Sequence, residues 1–575
     1  MKTFQALKKN IKQDMSSMQQ ARLVLIGDCA TQLLSQALRG YGYEIELNLQ
    51  VLDTDYNQID AQTMDDQSEL YLFNPEYILI QMCSEKLFET FCNIPLNRRC
   101  NFAVDVAEKI KNTWSQICAK SKALIFQFNF VELNENIFGN YGNKTEASFL
   151  YQLRKLNVLL MDEAQQNKRV YLIDLSALQN QLGRTVLFDE KYYCAAKMPL
   201  SLASLPYVAK QVLDVINALR GKIKKCIVLD LDNTLWGGVI GDDGMSGIQI
   251  GELGAGHAFT ELQFWIRELK RRGVILTVCS KNNEDTAKEP FIKHPEMVLR
   301  LEDISMFVAN WEDKASNIRY IQQTLNLGMD SFVFLDDNPF ERNMVRSLIP
   351  EITVPELPED PAQYLSYLKS LNLFETTSFS EEDELRTKQY QSEIGRTTLQ
   401  KQFESVNDYL ISLEMKAEIK PFELFYYPRI AQLTQRSNQF NLRTIRYTES
   451  DIAALAENEQ YITLYFTLQD KFGDHGLISV VILEKQKDET LFINTWLMSC
   501  RVLKRGMEEF IVNKIIEKAK ANGYYKIIGE YIKTPKNAMV EHLYDKMGFE
   551  PIGAGLYKID TSQYVPMETY IAETI

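Results

Sequence analysis

Histidine is scarce in this 575-residue chain: only His257, His294, His475 and His542 occur, none of them in the first 200 residues. That shortage excludes a Ser-His-Asp or Cys-His hydrolase from the N-terminal third, because such a triad needs an imidazole to take the nucleophile's proton. Positive charge is also short. The 63 Lys and Arg residues against 77 Asp and Glu leave a formal net charge of −14, which argues against nucleic acid or an anionic membrane as the main partner. No apolar run approaches the ~18 residues that cross a bilayer, and Met1 to Asp14 lacks the apolar stretch of a signal peptide. The expected setting is the cytoplasm, away from membranes. The nine cysteines make no CxxC pair, and Cys118, Cys226 and Cys279 lie in apolar runs. They read as reduced thiols rather than as a disulfide framework or zinc site.

Acidic pairs at the ends of apolar runs are present. Asp230-Leu231-Asp232-Asn233-Thr234 follows the run Cys226 to Leu229, which reads as a buried parallel strand with two carboxylates at its C-terminal end, where open α/β sheets bind ligands. Three further segments fit the same site: Val274 to Cys279 leading into Ser280, Lys314 within Asn310-Trp311-Glu312-Asp313-Lys314, and Phe332 to Leu335 leading into Asp336-Asp337-Asn338. A carboxylate nucleophile, a second carboxylate for proton transfer, a hydroxyl and an ammonium for phosphoryl oxygens, and an acidic pair for Mg²⁺ are what phosphoryl transfer requires.

At 45% hydrophobic the chain is too long for one core and should form several domains. Residues 1–205 read as one α/β unit, with strands at Leu23 to Ile26, Tyr77 to Met82, Leu124 to Phe128 and Val170 to Ile173. A helix from Leu205 to Leu219 leads to a domain over 222–375. From Ser380-Glu381-Glu382-Asp383, a capping-box-like helix start, a charged helix leads into a third domain over 400–575. Its strands are expected at Leu413 to Ile419, Tyr461 to Leu468, Gly476 to Leu483, Leu491 to Met498 and Lys526 to Tyr531. Its helices are expected around Met507 to Ala519 and from Ala538 to Met547.

The four central segments together resemble the haloacid dehalogenase (HAD) superfamily. The longer signatures, Val228 through Leu235-Trp236-Gly237-Gly238 to Gly244, Cys279-Ser280-Lys281-Asn282, and Phe334 to Arg342, resemble the FkbH-like family of HAD-type phosphatase/transferases. The resemblance implies three parts: an SGNH/flavodoxin-like domain, a capless HAD Rossmann-like domain and a GNAT-like α+β domain. Asp230 is then the nucleophile giving an aspartyl-phosphate, and Asp232 the acid and base. Ser280 and Lys314 hold phosphoryl oxygens, while Asp230, the main-chain carbonyl of Asp232, Asp336 and Asp337 hold Mg²⁺. Fewer than 50 residues separate Asp232 from Ser280, and fewer still Ser280 from Lys314, so no folded cap fits and the site should be open.

Members of the family take a glyceryl group from 1,3-bisphosphoglycerate, remove phosphate, and load the phosphopantetheine thiol of an acyl carrier protein. Thioester formation needs a thiol at the carbonyl carbon. Cys279 is the best placed in sequence, the other reading being a packed core residue. In the first domain, Gly27-Asp28-Cys29 resembles an SGNH nucleophile block without its base, since Asp189-Glu190-Lys191-Tyr192-Tyr193-Cys194 contains no Asp-x-x-His. The expectation is a binding or docking module. The alternative is that Cys29 carries an acyl group as a thiolate favoured by a helix starting near Ala30.

In the third domain, Arg501-Val502-Leu503-Lys504-Arg505-Gly506 resembles the GNAT loop that binds coenzyme A, with Lys504 at the usual first glycine. Arg501, Arg505, Gly506 and Asn537 become candidates for binding acetyl-CoA or phosphopantetheine. Tyr544 becomes either an acid for the departing thiolate or a packed aromatic. The polar run Gln432 to Asn441 resembles an FkbH-like block or a solvated helix end, and His475, in Gly473-Asp474-His475-Gly476, reads as a surface residue. Two rivals to carrier loading stay open: a plain phosphohydrolase acting on a sugar phosphate or phosphoprotein, and a CoA-dependent GNAT acyltransferase with an accessory HAD domain.

Overall fold

The computed structural model describes the chain except residues 1, 380–382, 385, 401, 402, 404 and 575 and the side chains of 393–395, 397, 398 and 400. The capping-box residues 380–382 therefore lie outside the described residues. The chain forms two compact units, Met1–Ile216 and Asn217–Ile575.

The first unit is built on five parallel strands: β1 (Gln19–Gly27), β2 (Leu47–Asp53), β3 (Tyr77–Gln81), β4 (Leu124–Phe128) and β5 (Val170–Ile173), in the order β2-β1-β3-β4-β5. This is the flavodoxin-type order, with its switch point between β1 and β3. Val24, Ile78, Ile80 and Ile125 pack against Trp114, Ile117, Leu153 and Leu156 of the covering helices. Strand β2 is not visible as an apolar run in the sequence. It is an edge strand whose Asn48 and Gln50 face outward, so its alternation carries little apolar weight.

The second unit holds two sheets. The first is parallel, in the order β8-β7-β6-β9, from β6 (Cys226–Leu229), β7 (Ile275–Ser280), β8 (Met306–Ala309) and β9 (Phe332–Leu335). Strands β6 and β9 are buried at every residue, because helices cover both faces. One face sets Leu229, Val278 and Leu335 against Phe259, Leu262 and Ile266 of the helix Gly254–Arg271. The other sets Val228, Ile275, Cys279 and Phe334 against Ala315, Ile318 and Ile321 of the helix Lys314–Leu325. The connection from Asp232 to Ser280 contains only the helices Ile240–Gly247 and Gly254–Arg271.

The second sheet comprises β10 (Lys416–Ala417), β11 (Ile419–Lys420), β12 (Tyr461–Asp470), β13 (Gly473–Gln486), β14 (Thr490–Met498), β15 (Lys526–Glu530), β16 (Glu550–Gly553), β17 (Leu556–Asp560) and β18 (Ala572–Glu573). Its order is β16-β17-β15-β14-β13-β12-β10-β18, with β11 also on β12. Strands β14 and β15 pair in parallel over Thr490 to Ile493 only, joined by the helix Met507–Ala521. The expected strand Leu413 to Ile419 is broken into β10 and β11. The expected helix Ala538 to Met547 is a 3-10 turn, Ala538–Val540, and a short helix, Leu543–Lys546. No helix among the described residues is long and apolar enough to cross a membrane.

Candidate active site

Strands β6 and β9 are neighbours in the sheet, yet the chain leaves β6 toward β7 on one side and reaches β9 on the other. The crevice beyond their C-terminal ends is a topological switch point. Asp230 leaves β6 into it, and Asp336 and Asp337 leave β9. The Asp230 amide donates to the Leu335 carbonyl at 2.9 Å, tying the two exits together. The chain turns sharply after Asp232 because Asn233 adopts a left-handed conformation (φ 54°), and its Oδ1 accepts from the Gly238 amide at 2.9 Å.

Lys314 is the first residue of its helix, which Asp313 caps by accepting from the Ser316 amide at 2.8 Å. Its Nζ lies 3.0 Å from Asp230 Oδ1 and 2.5 Å from Asp336 Oδ2. Carboxylate oxygens of Asp230, Asp336 and Asp337 all fall within 4.8 Å of one another. Burial raises the pKa of all three carboxyls above the ordinary value, and Lys314 acts against the shift in each. Burial opposes the charge on Lys314 as well, but Asp230 and Asp336 outweigh it and hold the ammonium protonated well above its usual range. Three hard oxygen donors around one point suit Mg²⁺, so the donor set fits that ion.

The carboxylate of Asp232 points elsewhere. Oδ1 accepts from Trp236 Nε1 and from the Ile240 amide, both at 3.0 Å, and Oδ2 accepts from Asn282 Nδ2 at 2.9 Å. It stays out of that carboxylate cluster and is held in one direction by three donors. Any metal bond from Asp232 would come through its carbonyl. Ser280 is buried at the end of β7, accepts from Asn282 at 3.2 Å, and helps hold the charge of Asp230.

Several supports carried no assigned role in the sequence. Asn282 links Asp232 to Ser280. Thr234 accepts from the Asp337 amide at 3.1 Å. Arg342 donates to the carbonyls of Asp336 and Asp337 at 2.9 and 2.6 Å, fixing the acidic loop, and Lys281 pairs with Glu341 at 2.6 Å. All sit inside the long motifs, one to six residues from a chemical group, and that proximity was the available signal.

Cys279 is a correction. Side chains alternate along a strand, so with Ser280 facing the crevice, Cys279 faces the opposite way, into the core with Val228 and Ala315. Its Sγ lies 3.8 Å from the Lys314 carbonyl, and burial pushes the thiol far up. It is not an available nucleophile.

The C-terminal candidates are corrected in the same way. Arg505 donates to the Arg501 carbonyl at 2.7 Å, to Asp470 at 3.4 Å and to His475 Nε2 at 3.0 Å. Asn537 donates to the carbonyls of Asn441 and Ile532 and accepts from the Thr534 amide, so its amide is consumed in clamping loops. Tyr544 is packed among Trp496, Phe549 and Tyr557, where burial pushes its phenol far up. Arg501 is buried with Nε on Ser499 Oγ at 3.2 Å. Gly506 (φ 77°) and Lys504 (φ 61°) both take the left-handed conformation expected of a glycine loop.

Beyond Ile493, where β14 and β15 part, the segment 440–442 fills the gap. The Leu442 amide donates to the Trp496 carbonyl and Ile532 N to the Leu442 carbonyl. With these groups consumed, the side chains of Arg505, Asn537 and Tyr544 are engaged within the domain and are not presented to a coenzyme A. His475 is buried, not on the surface. The run Gln432 to Asn441 is largely buried as well, with Gln432 and Arg436 both on Asp383.

In the first unit, Cys29 is buried beside Cys83 and Asp28, and Asp28 Oδ1 accepts from the Cys83 amide at 2.9 Å. The neighbouring Cys83 and burial push the Cys29 thiol well up, against the thiolate expected from the helix terminus; that helix starts at Gln32.

Residues 22–217 match the family model described as FkbH, N-terminal domain. The chain is 47% identical to the N-terminal part of protein BF1531 from Bacteroides fragilis, whose crystal structure contains a phosphatase domain complexed with Mg. The match covers 66% of this chain and 100% of that one, with a TM-score of 0.64. Two further solved structures are the ribosomal-protein-S18-alanine N-acetyltransferase from Escherichia coli and an N-acetyltransferase from Staphylococcus aureus. The first is 15% identical over 26% of this chain and 96% of that one, TM-score 0.20; the second is 14% identical over 25% and 99%, TM-score 0.21. No curated protein matches the chain.

Proposed function

The chain belongs to the FkbH family, and on that footing we propose that it couples a Mg²⁺-dependent, aspartyl-phosphate phosphatase to the loading of a small acid onto an acyl carrier protein. The chain is an enzyme of the phosphatase type. The proposed donor is a phosphorylated acid such as 1,3-bisphosphoglycerate, and the acceptor is the phosphopantetheine thiol of a cytoplasmic carrier.

The observation that carries the reading is the array of Asp230, Asp336 and Asp337 around Lys314 at the β6/β9 switch point. Mg²⁺ held by Asp230, Asp336 and Asp337 would supply positive charge to the phosphoryl group. Asp230 attacks phosphorus of the donor's phosphate ester, not of its acyl phosphate, and the bond to the ester oxygen breaks, with Asp232 giving that oxygen its proton. The acyl phosphate is left for the carrier thiolate, which attacks its carbonyl carbon and expels inorganic phosphate. Asp232 then takes a proton from water, whose oxygen attacks the aspartyl-phosphate and releases inorganic phosphate. Lys314 and Ser280 hold the non-bridging oxygens throughout.

With Cys279 sealed in the core, the thiol that receives the acyl group must arrive from outside. The short connections support access for a large partner, as do two apolar rim residues, Trp311 (77% exposed) and Phe340 (69% exposed), each three residues from a residue of the array. We read the first unit as a docking module and the nine-stranded half as a GNAT-like scaffold that does not need coenzyme A. The same burial of Cys279 favours a second reading, a plain phosphohydrolase. Intact-protein mass spectrometry of a pantetheinylated carrier, incubated with enzyme, Mg²⁺ and bisphosphoglycerate, separates the two. Carrier loading predicts a thioester adduct that requires all components, whereas phosphate release without any adduct supports the hydrolase.

A further inference from the structure

At the opposite ends of β6 and β9 from the catalytic crevice lies a cavity of about 310 Å³. Lys225 lines it one residue before β6, and Ser331 one residue before β9. Four residues of strand, about 13 Å at ~3.3 Å per residue, separate this cavity from the catalytic carboxylates. The rest of its wall comes from the charged helix Arg386–Gln400, the polar run Gln432 to Asn441, the end of β14, and Lys536.

The charges in this wall do not balance. Asp383 Oδ1 accepts from Arg386 at 2.7 Å and from Arg436 at 2.8 Å, so one carboxylate faces two guanidinium groups. Lys536 on the rim pairs with Asp330. Lys225 donates to the Arg436 carbonyl at 2.8 Å and makes no ion pair with a carboxylate among the described residues. Burial, with Arg386 and Arg436 adding to it, pushes its ammonium down to about 8. Among the described residues six cations, Lys225, Arg386, Arg429, Arg436, Arg501 and Lys536, thus stand beside the carboxylates of Asp330 and Asp383 in a chamber partly closed to water, where an excess of one charge is costly. Tyr390, Leu433, Phe440 and Met498 give the wall an apolar side, beside polar residues such as Asn438 and Gln439.

We propose that this cavity binds a small organic phosphate monoester, a site distinct from the catalytic centre: the phosphate dianion sits against Lys225 and the Arg386–Arg436 pair, and an apolar arm lies along Tyr390 and Phe440. The excess of positive charge suits a phosphate dianion, and the volume admits a group larger than phosphate alone. The polar run 432–441 thereby gains a role beyond joining the two sheets. The site is independent of the reaction proposed above and stands or falls separately.

The test is isothermal titration calorimetry of the full chain with phenylphosphonate, which a phosphatase cannot hydrolyse, and with benzenesulfonate as a monoanion of similar shape. EDTA is present throughout. Without metal, the three carboxylates around Lys314 leave the catalytic crevice negative and unreceptive to anions. One equivalent of phenylphosphonate should bind, at least tenfold more tightly than benzenesulfonate. Lys225→Met should weaken it at least tenfold and Lys225→Arg should restore it, while Ser280→Ala has no effect. Turnover of an aryl phosphate with Mg²⁺ should stay within twofold in Lys225→Met, showing that the variant folds. Should that variant misfold, Lys536→Ala on the rim serves instead: it frees the charge of Asp330 and should weaken binding severalfold. No binding in EDTA, no preference for the dianion, binding unchanged in a folded Lys225→Met or in Lys536→Ala, or binding lost in Ser280→Ala would each overturn the proposal.

Discussion

Lys314 holds its Nζ 2.5 Å from Oδ2 of Asp336, with both side chains almost wholly shielded from solvent. Removing one partner of such a pair leaves the other charge buried and uncompensated, at about 3–5 kcal/mol. Lys314→Met is therefore expected to lower the stability of the second unit by roughly that amount in EDTA. Added Mg²⁺ should recover more stability in the variant than in the parent, because the ion replaces the missing positive charge. Thermal melts with and without Mg²⁺ check this. Equal metal-dependent shifts in both proteins would contradict a shared site.

Metal affinity should fall on acidification. Burial raises the pKa of Asp230, Asp336 and Asp337, with Asp230 reaching about 6, and Mg²⁺ binds only their ionised forms. Between pH 8 and pH 6 a growing share of the site is protonated and must lose protons to bind. Titrations of Mg²⁺ followed by calorimetry should show weaker binding at pH 6, with net proton release; an affinity independent of pH would count against these carboxylates as the ligands.

Asp232 is fixed by Trp236, Ile240 and Asn282 and lies outside the metal cluster, so its loss should affect proton transfer and spare metal binding. Asp232→Asn is expected to cut phosphate release by about 10²–10⁴-fold. The loss should be larger for an alkyl phosphate than for p-nitrophenyl phosphate, whose leaving group needs no proton. A uniform loss across leaving groups would place Asp232 in a structural role.

The catalytic third was legible because its chemistry stands at the ends of strands buried on both faces. The run Cys226–Leu229 and the run Phe332–Leu335 have no polar residue to blur their bounds, and of the acidic groups that follow them Asp230, Asp336 and Asp337 lie together while the Asp232 carboxylate points away. Residue type alone does not reveal direction. Cys279 and Ser280 are adjacent, and only the pleat decides which faces the crevice. Arg505, Asn537 and Tyr544 carry plausible chemistry for binding a cofactor, but tertiary partners such as Asp470, Asn441 and Trp496 turn them inward. The same held for His475, whose Gly-Asp-His-Gly context suggested an exposed turn although Asp470 and Arg505 enclose it.

Cys279→Ala tests the first of these corrections. Since the thiol packs in the core and burial raises its pKa far above neutrality, phosphate release and any carrier loading should remain within about twofold, the scale of a side chain that makes no transition-state contact. Iodoacetamide should leave Cys279 unmodified in the native protein, as read by peptide mass spectrometry. Loss of thioester formation with phosphate release intact would restore Cys279 as the acyl carrier.

His475 makes the second unit sensitive to mild acid. Its Nε2 lies 3.0 Å from Arg505 Nη1 and 3.2 Å from Asp470 Oδ2; burial, assisted by the charges of Arg505 and Arg396, holds its pKa down at about 4 against an ordinary 6.5. Between those values the unfolded chain binds a proton that the folded chain does not, so stability is intact above pH 6.5 and falls as the pH drops toward 4. The slope approaches about 1.4 kcal/mol per pH unit for one such group. Asp470, held below the ordinary carboxylate range, matters only in stronger acid. Asp28, pushed up to about 6 in the first unit, acts with the opposite sign between 3.8 and 6, since there the folded chain holds the extra proton. Comparing the parent with His475→Gln therefore isolates the effect. In urea unfolding from pH 7.5 to 5, the gap between the two should narrow as the pH falls, and curves that remain parallel would show that the His475 pKa is the same in the folded and unfolded chain.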